Sequence, residues 1–448
     1  MIPVFAHGLV QRSSLPIPEW LFGWAAAAVL CLSFVALAAL WPRPRLENPG
    51  WRPLPGGAGR VLGSRAVEVV CGAIGVAVLA LVLVSGYAGP DTPLDNFAPT
   101  FVFIIFWVGL VFASVLFGDL FRAFNPWRAL GRVLFRGREP RPYPERLGRW
   151  PATAGLLCFT WIELASGWGD APATLATAVT GYTVLTLIGM AVYGAEPWAR
   201  WGETFSVYFN LFSRLSVFET RDRVVGVRPF LGGLPRLDPV SGTVAIVIVM
   251  IGTVTFDGLS QGQLWKDLAV QLNDGFEALG FSLETTPKLV ATVGLAIGVA
   301  IAGGFYSLGI EGARSVGGDL DAERLRRAFI HSLVPIAMVY VAAHYLTFLL
   351  FEGQSIFYLA SDPFGEGWNL FGTANSAIDY GLLSQDAAWY LQVAVVVVGH
   401  VAALVLAHDR ALVLSPNPKL AVRSQYWMLA IMVGFTSLAL WLLAQAGA

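Results

Sequence analysis

Four ionisable side chains lie within stretches of sequence that are otherwise strongly apolar, and they are the residues best suited to carry chemistry. Two are acids, Glu163 and Asp257, and two are imidazoles, His344 and His400. An ionisable group among apolar segments is expensive to keep, so it usually marks an ion pathway, a proton relay or a binding site. The sequence therefore predicts a polar site built from these four residues.

The chemistry of this predicted site depends on what the two imidazoles hold. Two imidazoles and a carboxylate form an open-sided metal site, in which a bound water becomes a nucleophile. Because His344 and His400 lie on consecutive apolar segments, we predict that they bind a divalent metal ion, with Glu163 and Asp257 as catalytic carboxyl groups. Two alternatives stay open: each imidazole hydrogen-bonds to a neighbouring helix and binds nothing, or the pair holds a haem or relays protons.

The elements that must position these residues are long apolar segments. The chain has 448 residues, of which 56% are hydrophobic and 13% charged, whereas soluble domains carry about 25% charged residues. A helix needs about 20 apolar residues to cross a bilayer. We predict an all-α polytopic transmembrane helix bundle, a single integral membrane domain over residues 1–448, with ten spans: 20–41, 66–88, 99–118, 150–168, 174–194, 241–260, 288–310, 328–352, 387–408 and 425–445.

Lys and Arg residues are distributed unequally between the two ends of these segments. Of the 29 Lys and Arg residues, 26 fall in or beside the connections on one side, and loops rich in Lys and Arg stay in the cytosol during insertion. We therefore predict that both termini lie outside, with membrane lipid as a partner. Basic residues placed in this way determine topology and do not indicate nucleic-acid binding.

Two connections on the Arg-rich side have the composition of structured segments. Residues 119–137 and 203–217 mix aromatic residues with Arg, so we predict that they lie along the inner interface or re-enter the membrane. Pro126 predicts a break within the first of them. Each follows a glycine and an acid and continues with similarly spaced aromatic residues. Such a pair is typical of the internal duplications found in transporters.

Two connections on the opposite side are also distinctive. Residues 265–281 have apolar positions at helical spacing, which predicts a helix on the outer surface. Residues 353–386 contain no Lys or Arg, four acids and several aromatic residues. We predict a structured outer loop there, either a cap packed on the helix ends or a lid over a binding surface.

Several signatures of soluble chemistry are missing from the sequence. It has no phosphate-binding loop, no H-E-x-x-H, no C-x-x-C and no G-x-S-x-G. Cys31, Cys71 and Cys158 lie in separate apolar segments, which argues against a disulfide framework or a thiolate zinc site. ATP-driven transport by this chain alone, zincin proteolysis and serine-hydrolase chemistry therefore have no support.

Several short strings resemble a family of bacterial multi-pass membrane proteins named fenitrothion hydrolase. The strings are His7–Val10 with Leu15–Pro18, Gly118–Asp119 with Asn125–Trp127, Ser361–Gly365, and Gly399–His400 with His408–Asp409. The family name implies hydrolysis of an aryl–phosphate bond in organophosphate triesters. Such a substrate is apolar and would reach an intramembrane pocket from the bilayer, while one or two metal ions would supply hydroxide and polarise the phosphoryl group.

These observations lead to three functional hypotheses. The first is a metal-dependent hydrolase of apolar organophosphate triesters with its site in the outer half of the membrane. The second is a transporter or metal-handling membrane protein that uses the same buried polar residues. The third is a non-catalytic subunit of a larger membrane complex, whose other subunits the sequence does not identify.

Overall fold

The fold is known from a computed structural model, which describes residues 19–47, 49–317, 321–415 and 417–445. The strings His7–Val10 and Leu15–Pro18, which carry part of the family resemblance, lie outside these residues. Most of the described chain is helical. The prediction of an all-α polytopic bundle with about ten spans is confirmed.

The first half of the chain alternates long helices with short ones. Its α-helices are α1 (Glu19–Leu40), α2 (Ala58–Leu62), α3 (Arg65–Ala88), α4 (Phe97–Pro99), α5 (Leu110–Phe117), α6 (Leu120–Phe124), α7 (Pro126–Leu134), α8 (Trp150–Trp161), α9 (Pro172–Tyr193), α10 (Ala195–Trp201) and α11 (Thr204–Ser213). Two π-helical segments, Thr100–Gly109 and Ile162–Ser166, continue α4 and α8. Short 3₁₀ turns occupy Pro55–Gly57, Pro93–Asp95 and Trp168–Asp170.

The second half contains the longest helices of the bundle. They are α12 (Thr243–Gln261), α13 (Gln263–Ala278), α14 (Thr285–Gly317), α15 (Ala322–Phe329), α16 (Val334–Leu350), α17 (Ser355–Ser361), α18 (Gln385–Leu414) and α19 (Pro418–Gln445). The 3₁₀ turn Ile330–Leu333 joins α15 to α16, and a second one, Glu352–Gln354, precedes α17.

Nine helices in the described residues are long and apolar enough to cross a membrane. They run over Leu21–Leu40, Arg65–Ala88, Phe97–Phe117, Pro172–Tyr193, Thr243–Gln261, Thr285–Val316, Ala322–Leu350, Gln385–Leu414 and Lys419–Leu442. The remaining predicted span, 150–168, is α8 together with its π-helical extension to Ser166, which is shorter than the other nine. We call the side with connections 41–64, 118–149 and 194–242 the Arg-rich face, and the opposite side the Arg-poor face.

A small antiparallel sheet on the Arg-rich face departs from the all-helical expectation. Its strands are β1 (Arg52–Pro53), β2 (Phe218–Arg221) and β3 (Val224–Val227), in the order β1-β3-β2. Asp222 and Arg223 form the turn between β2 and β3, both with positive φ, as a two-residue hairpin requires. Strands of two to four residues, two of them carrying Arg, give no alternating pattern long enough to detect in the sequence.

The helix α12 lies at the centre of the bundle. It packs against α8, α14, α16 and α19, and all its residues from Val249 to Gly258 are buried. Close approach to α14 is possible because Gly252 and Gly298 face each other: a Cβ on Gly298 would lie 2.4 Å from the Gly252 carbonyl oxygen. Any polar group on this part of α12 is therefore removed from both lipid and water.

The connections singled out in the sequence are folded segments. Residues 203–217 contain α11, which is buried among α5, α8 and α16, as a re-entrant helix would be. Residues 119–137 form α6 and α7, with the break at Asn125, which caps α7 immediately before Pro126. Residues 265–281 form most of α13, a largely exposed helix anchored by buried Trp265. Residues 353–386 begin with α17 and continue as an irregular loop.

Candidate functional site

A buried hydrogen-bonded group joins α12 to α16 in the half of the bundle nearer the Arg-poor face. The Asp257 Oδ2 accepts a hydrogen bond from Tyr345 Oη at 2.6 Å and lies 2.7 Å from His344 Nε2. These side chains are almost completely inaccessible: the exposed fractions of Asp257, His344 and Tyr345 are 1%, 6% and 3%. When Asp257 is ionised, both neighbours donate to the same oxygen. His344 and Tyr345 of α16 therefore both contact the same carboxylate oxygen of Asp257.

The other oxygen of this carboxylate is unsatisfied. Asp257 Oδ1 is buried and has no hydrogen-bond partner. A buried polar atom without a partner costs free energy and needs an explanation, such as a proton, an ion or water. Asp257 is therefore bonded through one oxygen and unsatisfied at the other.

Glu163 belongs to the same group, although it comes from a different helix. It lies in the π-helical segment that continues α8, and its Oε2 is buried without a partner. It is in electrostatic range of Asp257 and of Tyr345. Single π-helical turns are rare and occur often at functional sites. Two carboxyl groups thus share one buried region, and they repel each other when both are ionised.

The imidazole of His344 connects Asp257 to a small cavity. The cavity has a volume of about 30 Å³ and is lined from α12, α16, α18 and α19. One of its walls is Gly258, where an added Cβ would lie 3.9 Å from His344 Nδ1. The Tyr340 hydroxyl, one turn from His344, is also buried without a partner. A cavity of this size holds one or two water molecules.

The structure places His400 apart from the other three predicted site residues. It is fully buried on α18, where its Nδ1 contacts the Val396 carbonyl oxygen and its Nε2 has no partner. The register between α16 and α18 explains the separation. The Gln392 side chain donates to the Ala343 carbonyl oxygen at 2.8 Å, so His400 lies two turns farther along α18, toward the Arg-rich face.

The residues present do not form a metal-binding set. Within residues 19–47, 49–317, 321–415 and 417–445, no three His, Cys, Asp or Glu side chains are arranged to hold a metal ion. Asp257 and His344 contact each other directly rather than leaving a position between them. The divalent metal ion and its ligands therefore stay a prediction from sequence, and the chemistry below is derived from the protein's own groups.

Another buried acid, Glu203, was not predicted from the sequence. It is 1% exposed and caps α11 by accepting hydrogen bonds from the backbone nitrogens of Phe205 and Ser206. It also accepts from Asn125 Nδ2 at 2.8 Å and from the Tyr182 hydroxyl. No clear signal in the sequence indicated this role, because Glu is not among the residues preferred at a helix N-cap.

The two segments with similar sequences contact each other in a crossed arrangement. The acid of the first, Asp119, accepts from Asn210 of the second at 2.8 Å. The amide of the first, Asn125, donates to Glu203 of the second at the same distance. The Asp119 carboxylate is thus held by an amide from α11. Each segment thus supplies one acid and one amide to the other.

A buried ion-pair network lies close to these segments. Arg128 on α7 is 3% exposed and bonds to Glu68 at 2.7 Å and to Glu196 at 2.9 Å. Arg132, one turn later, contacts the same two acids at 3.0 Å and 2.6 Å. The network ties α7 to α3 and α10 with both arginines and both acids paired, which is the arrangement of a structural contact.

Comparison with known proteins gave no match to a family model, to a curated protein or to a solved structure. The resemblance to the fenitrothion hydrolase family therefore stays a prediction. What the chain does has to be argued from the geometry of the buried group.

Proposed function

We propose that this membrane protein is a proton-coupled transporter and that the Asp257–His344 pair is its proton-binding group. The observation that carries the proposal is the state of Asp257: a carboxylate buried between two central helices, bonded through one oxygen and unsatisfied at the other. Ionisable residues inside membrane proteins mark proton and ion pathways because their burial is too costly to keep without use.

The charges around Asp257 favour exchange of a proton over a permanent ion pair. In the described residues, no Arg or Lys forms an ion pair with Asp257 or Glu163, and the two acids repel each other when both are ionised. A proton arriving on Asp257 or Glu163 removes that repulsion. His344 accepts or releases a proton through Nδ1, which faces the water-sized cavity.

Proton binding at this position affects the packing of two helices. Asp257 is on α12, whereas His344 and Tyr345 are on α16. Protonation of the carboxylate weakens its hold on both side chains, so the two protonation states stabilise different arrangements of α12 and α16. A ligand shifts a conformational equilibrium by its difference in affinity for the two states, and the proton is such a ligand.

The proposal predicts proton movement that depends on Asp257. Purified protein is reconstituted into liposomes that contain a pH-sensitive dye, and a potassium diffusion potential, negative inside, is applied. We expect vesicles with the wild-type protein to acidify, and vesicles with Asp257→Asn to acidify only at the rate of protein-free liposomes. The amide keeps the size of the carboxylate and can still accept from Tyr345, but it cannot take up a proton.

The matched control is Asp267→Asn on α13, since Asp267 is an exposed acid bonded only to Gln263 at 2.6 Å. We expect this variant to keep the wild-type rate. Wild-type vesicles that acidify no faster than protein-free ones would overturn the proposal, as would full proton flux in Asp257→Asn.

We propose triester hydrolysis as a second candidate, because His344 has the geometry of a general base. Its Nε2 is oriented by Asp257 while its Nδ1 faces a cavity large enough for water. Water would attack phosphorus and lose a proton to His344, the bond between phosphorus and the aryloxy oxygen would break, and the aryloxide would leave with the electron pair of that bond. A triester does not fit into about 30 Å³, so this reaction also requires the helices to separate, and we rank it second.

A chromogenic p-nitrophenyl phosphotriester distinguishes the two candidates. Hydrolysis predicts release of nitrophenolate that is lost in His344→Gln. Loss of this release on adding a metal chelator would support the metal-dependent reaction, and its persistence would support His344 as a general base without a metal ion. Turnover no faster than that of empty vesicles would rule out the second candidate and leave the first intact.

For localisation, we propose a bacterial plasma membrane with the Arg-rich face in the cytosol, because 26 of the 29 basic residues lie on that side.

A further inference from the structure

A second cavity lies deeper in the bundle, between α12, α14, α16 and α19. Its volume is about 50 Å³, and its walls are almost entirely aliphatic, aromatic and thioether side chains, among them Ile251, Ala302, Phe305, Met428, Met432 and Phe435. Of the polar residues in its wall, Tyr306 and Ser332 already donate to the backbone carbonyl oxygens of Arg326 and Phe329. No charged side chain lines the cavity.

These walls select the class of molecule that can bind. A charged or strongly polar ligand would lose its hydration without finding a partner, at a cost of several kcal/mol. Empty apolar cavities stay dry and bind small apolar molecules; one of about 150 Å³ holds benzene or xenon. A cavity of about 50 Å³ therefore suits a single large atom, a dissolved gas or a group of two or three heavy atoms.

One aromatic pair separates this cavity from the proton site. The Phe435 ring, which lines the apolar cavity, stacks on Tyr340 with 5.6 Å between centroids and meets Phe305 edge-on at 5.2 Å. Tyr340 in turn lines the cavity of His344. Three of the four helices around the apolar cavity, α12, α16 and α19, also line the cavity of His344.

We propose that the apolar cavity binds the transported substrate, and that this substrate is a small uncharged molecule or the apolar end of one. The proposal rests on the proton-coupled function above. The Phe435–Tyr340 pair divides the substrate site from the proton site. Because the proton site joins α12 to α16, a proton that rearranges these helices also changes the walls of the substrate cavity.

Xenon is the probe for this site, because it binds apolar cavities without needing a hydrogen bond. In crystals of the full-length protein pressurised with xenon, we expect an anomalous peak between Ile251, Ala302 and Met432. Ala302→Leu fills the cavity and should abolish the peak. Ala300→Leu, the same change on an exposed position of α14, should leave it in place.

Phe435→Ala keeps the test decisive if Ala302→Leu fails to fold. Removal of the ring joins the two cavities, so we expect the xenon peak to grow and to extend toward Tyr340. The absence of xenon from the wild-type cavity, or its persistence in folded Ala302→Leu, would overturn the proposal. If the wild type shows normal proton flux but binds no xenon, only the substrate site is refuted. If xenon binds but proton flux does not depend on Asp257, only the proton coupling is refuted.

Discussion

Two regions of the molecule contain buried ionisable groups, and they differ in how completely these groups are hydrogen-bonded. Near the Arg-rich face, Arg128 is paired with two acids, and Glu203 accepts hydrogen bonds from two backbone nitrogens, one amide and two hydroxyl groups. Near the Arg-poor face, Asp257 and Glu163 each have a carboxylate oxygen without a partner. The contacts of the first region hold neighbouring segments together, whereas the second region contains carboxylate oxygens without hydrogen-bond partners.

This contrast indicates which buried charges maintain the fold and which serve function. A fully bonded charge is held in one protonation state, because any change breaks several contacts at once. A partly bonded charge can change its state at low cost. Buried charge alone therefore does not identify a site; the candidate here is the pair of neighbouring acids that each keep one oxygen without a partner.

The strongest test of the contrast removes Arg128. Arg128→Leu leaves Glu68, whose side chain is 20% exposed, without its best partner, whereas the half-exposed Glu196 is rehydrated by water. Breaking a fully buried ion pair from one side costs about 3–5 kcal/mol, so we expect a smaller cost for this partly exposed network, up to about 3 kcal/mol. We expect a large fall in the thermal unfolding midpoint of the purified protein in detergent. Arg136→Leu, at an exposed position just past α7, should leave the midpoint nearly unchanged, and an equal loss in both variants would refute the structural role.

An intermediate effect is expected at the proton site. Tyr345→Phe removes one hydrogen bond to Asp257, which is worth about 1.5–3 kcal/mol when the acceptor is charged and about 0.5–1.5 when it is neutral. We expect a fall in the thermal unfolding midpoint of the purified protein in detergent that is smaller than the fall for Arg128→Leu. Tyr390→Phe, at an exposed position, is the control, and an equal change in both variants would contradict a stabilising hydrogen bond from Tyr345 to Asp257.

The smallest effect is expected at Glu219 in β2. Burial raises its pKa, but hydrogen bonds from Arg221 and Arg236 and the charge of Arg228 bring the pKa below its ordinary value of 4.5. A carboxyl group with a lowered pKa stabilises the fold above its unfolded pKa and loses that contribution as the pH falls through the folded one.

The free energy of unfolding of the wild type should therefore decrease by up to about 1 kcal/mol, through Glu219, as the pH falls below 4.5. Glu219→Gln should be less stable than the wild type at neutral pH and show a shallower decline in acid. Glu145→Gln, at an exposed acid, is the control. Unfolding midpoints measured across this range check the prediction, and parallel curves for Glu219→Gln and wild type would contradict it.

Long-range features of the bundle could be predicted from the sequence, because they depend on composition over about 20 residues. Nine predicted spans correspond to long apolar helices in the structure. The predicted span at 150–168 is not among these nine, because its helix is short and ends in a π-helical segment. The hydrophobicity of the residues does not distinguish a π-helical segment from an α-helix.

The candidate site was predicted only in part. Unusual residues in apolar segments pointed to Asp257, Glu163 and His344, and the structure groups them. The placement of His400 could not be predicted, because it depends on the register between α16 and α18, which is set by side-chain packing. Glu203 was missed because it lies at the edge of an apolar run, where an acid is usually exposed.

The crossed contacts between Asp119 and Asn210 and between Asn125 and Glu203 have a consequence for how this chain can evolve. Each segment supplies what the other lacks, so drift at any of these four positions removes a partner in the other segment. We therefore expect these four positions to change together, or not at all, in proteins descended from this chain.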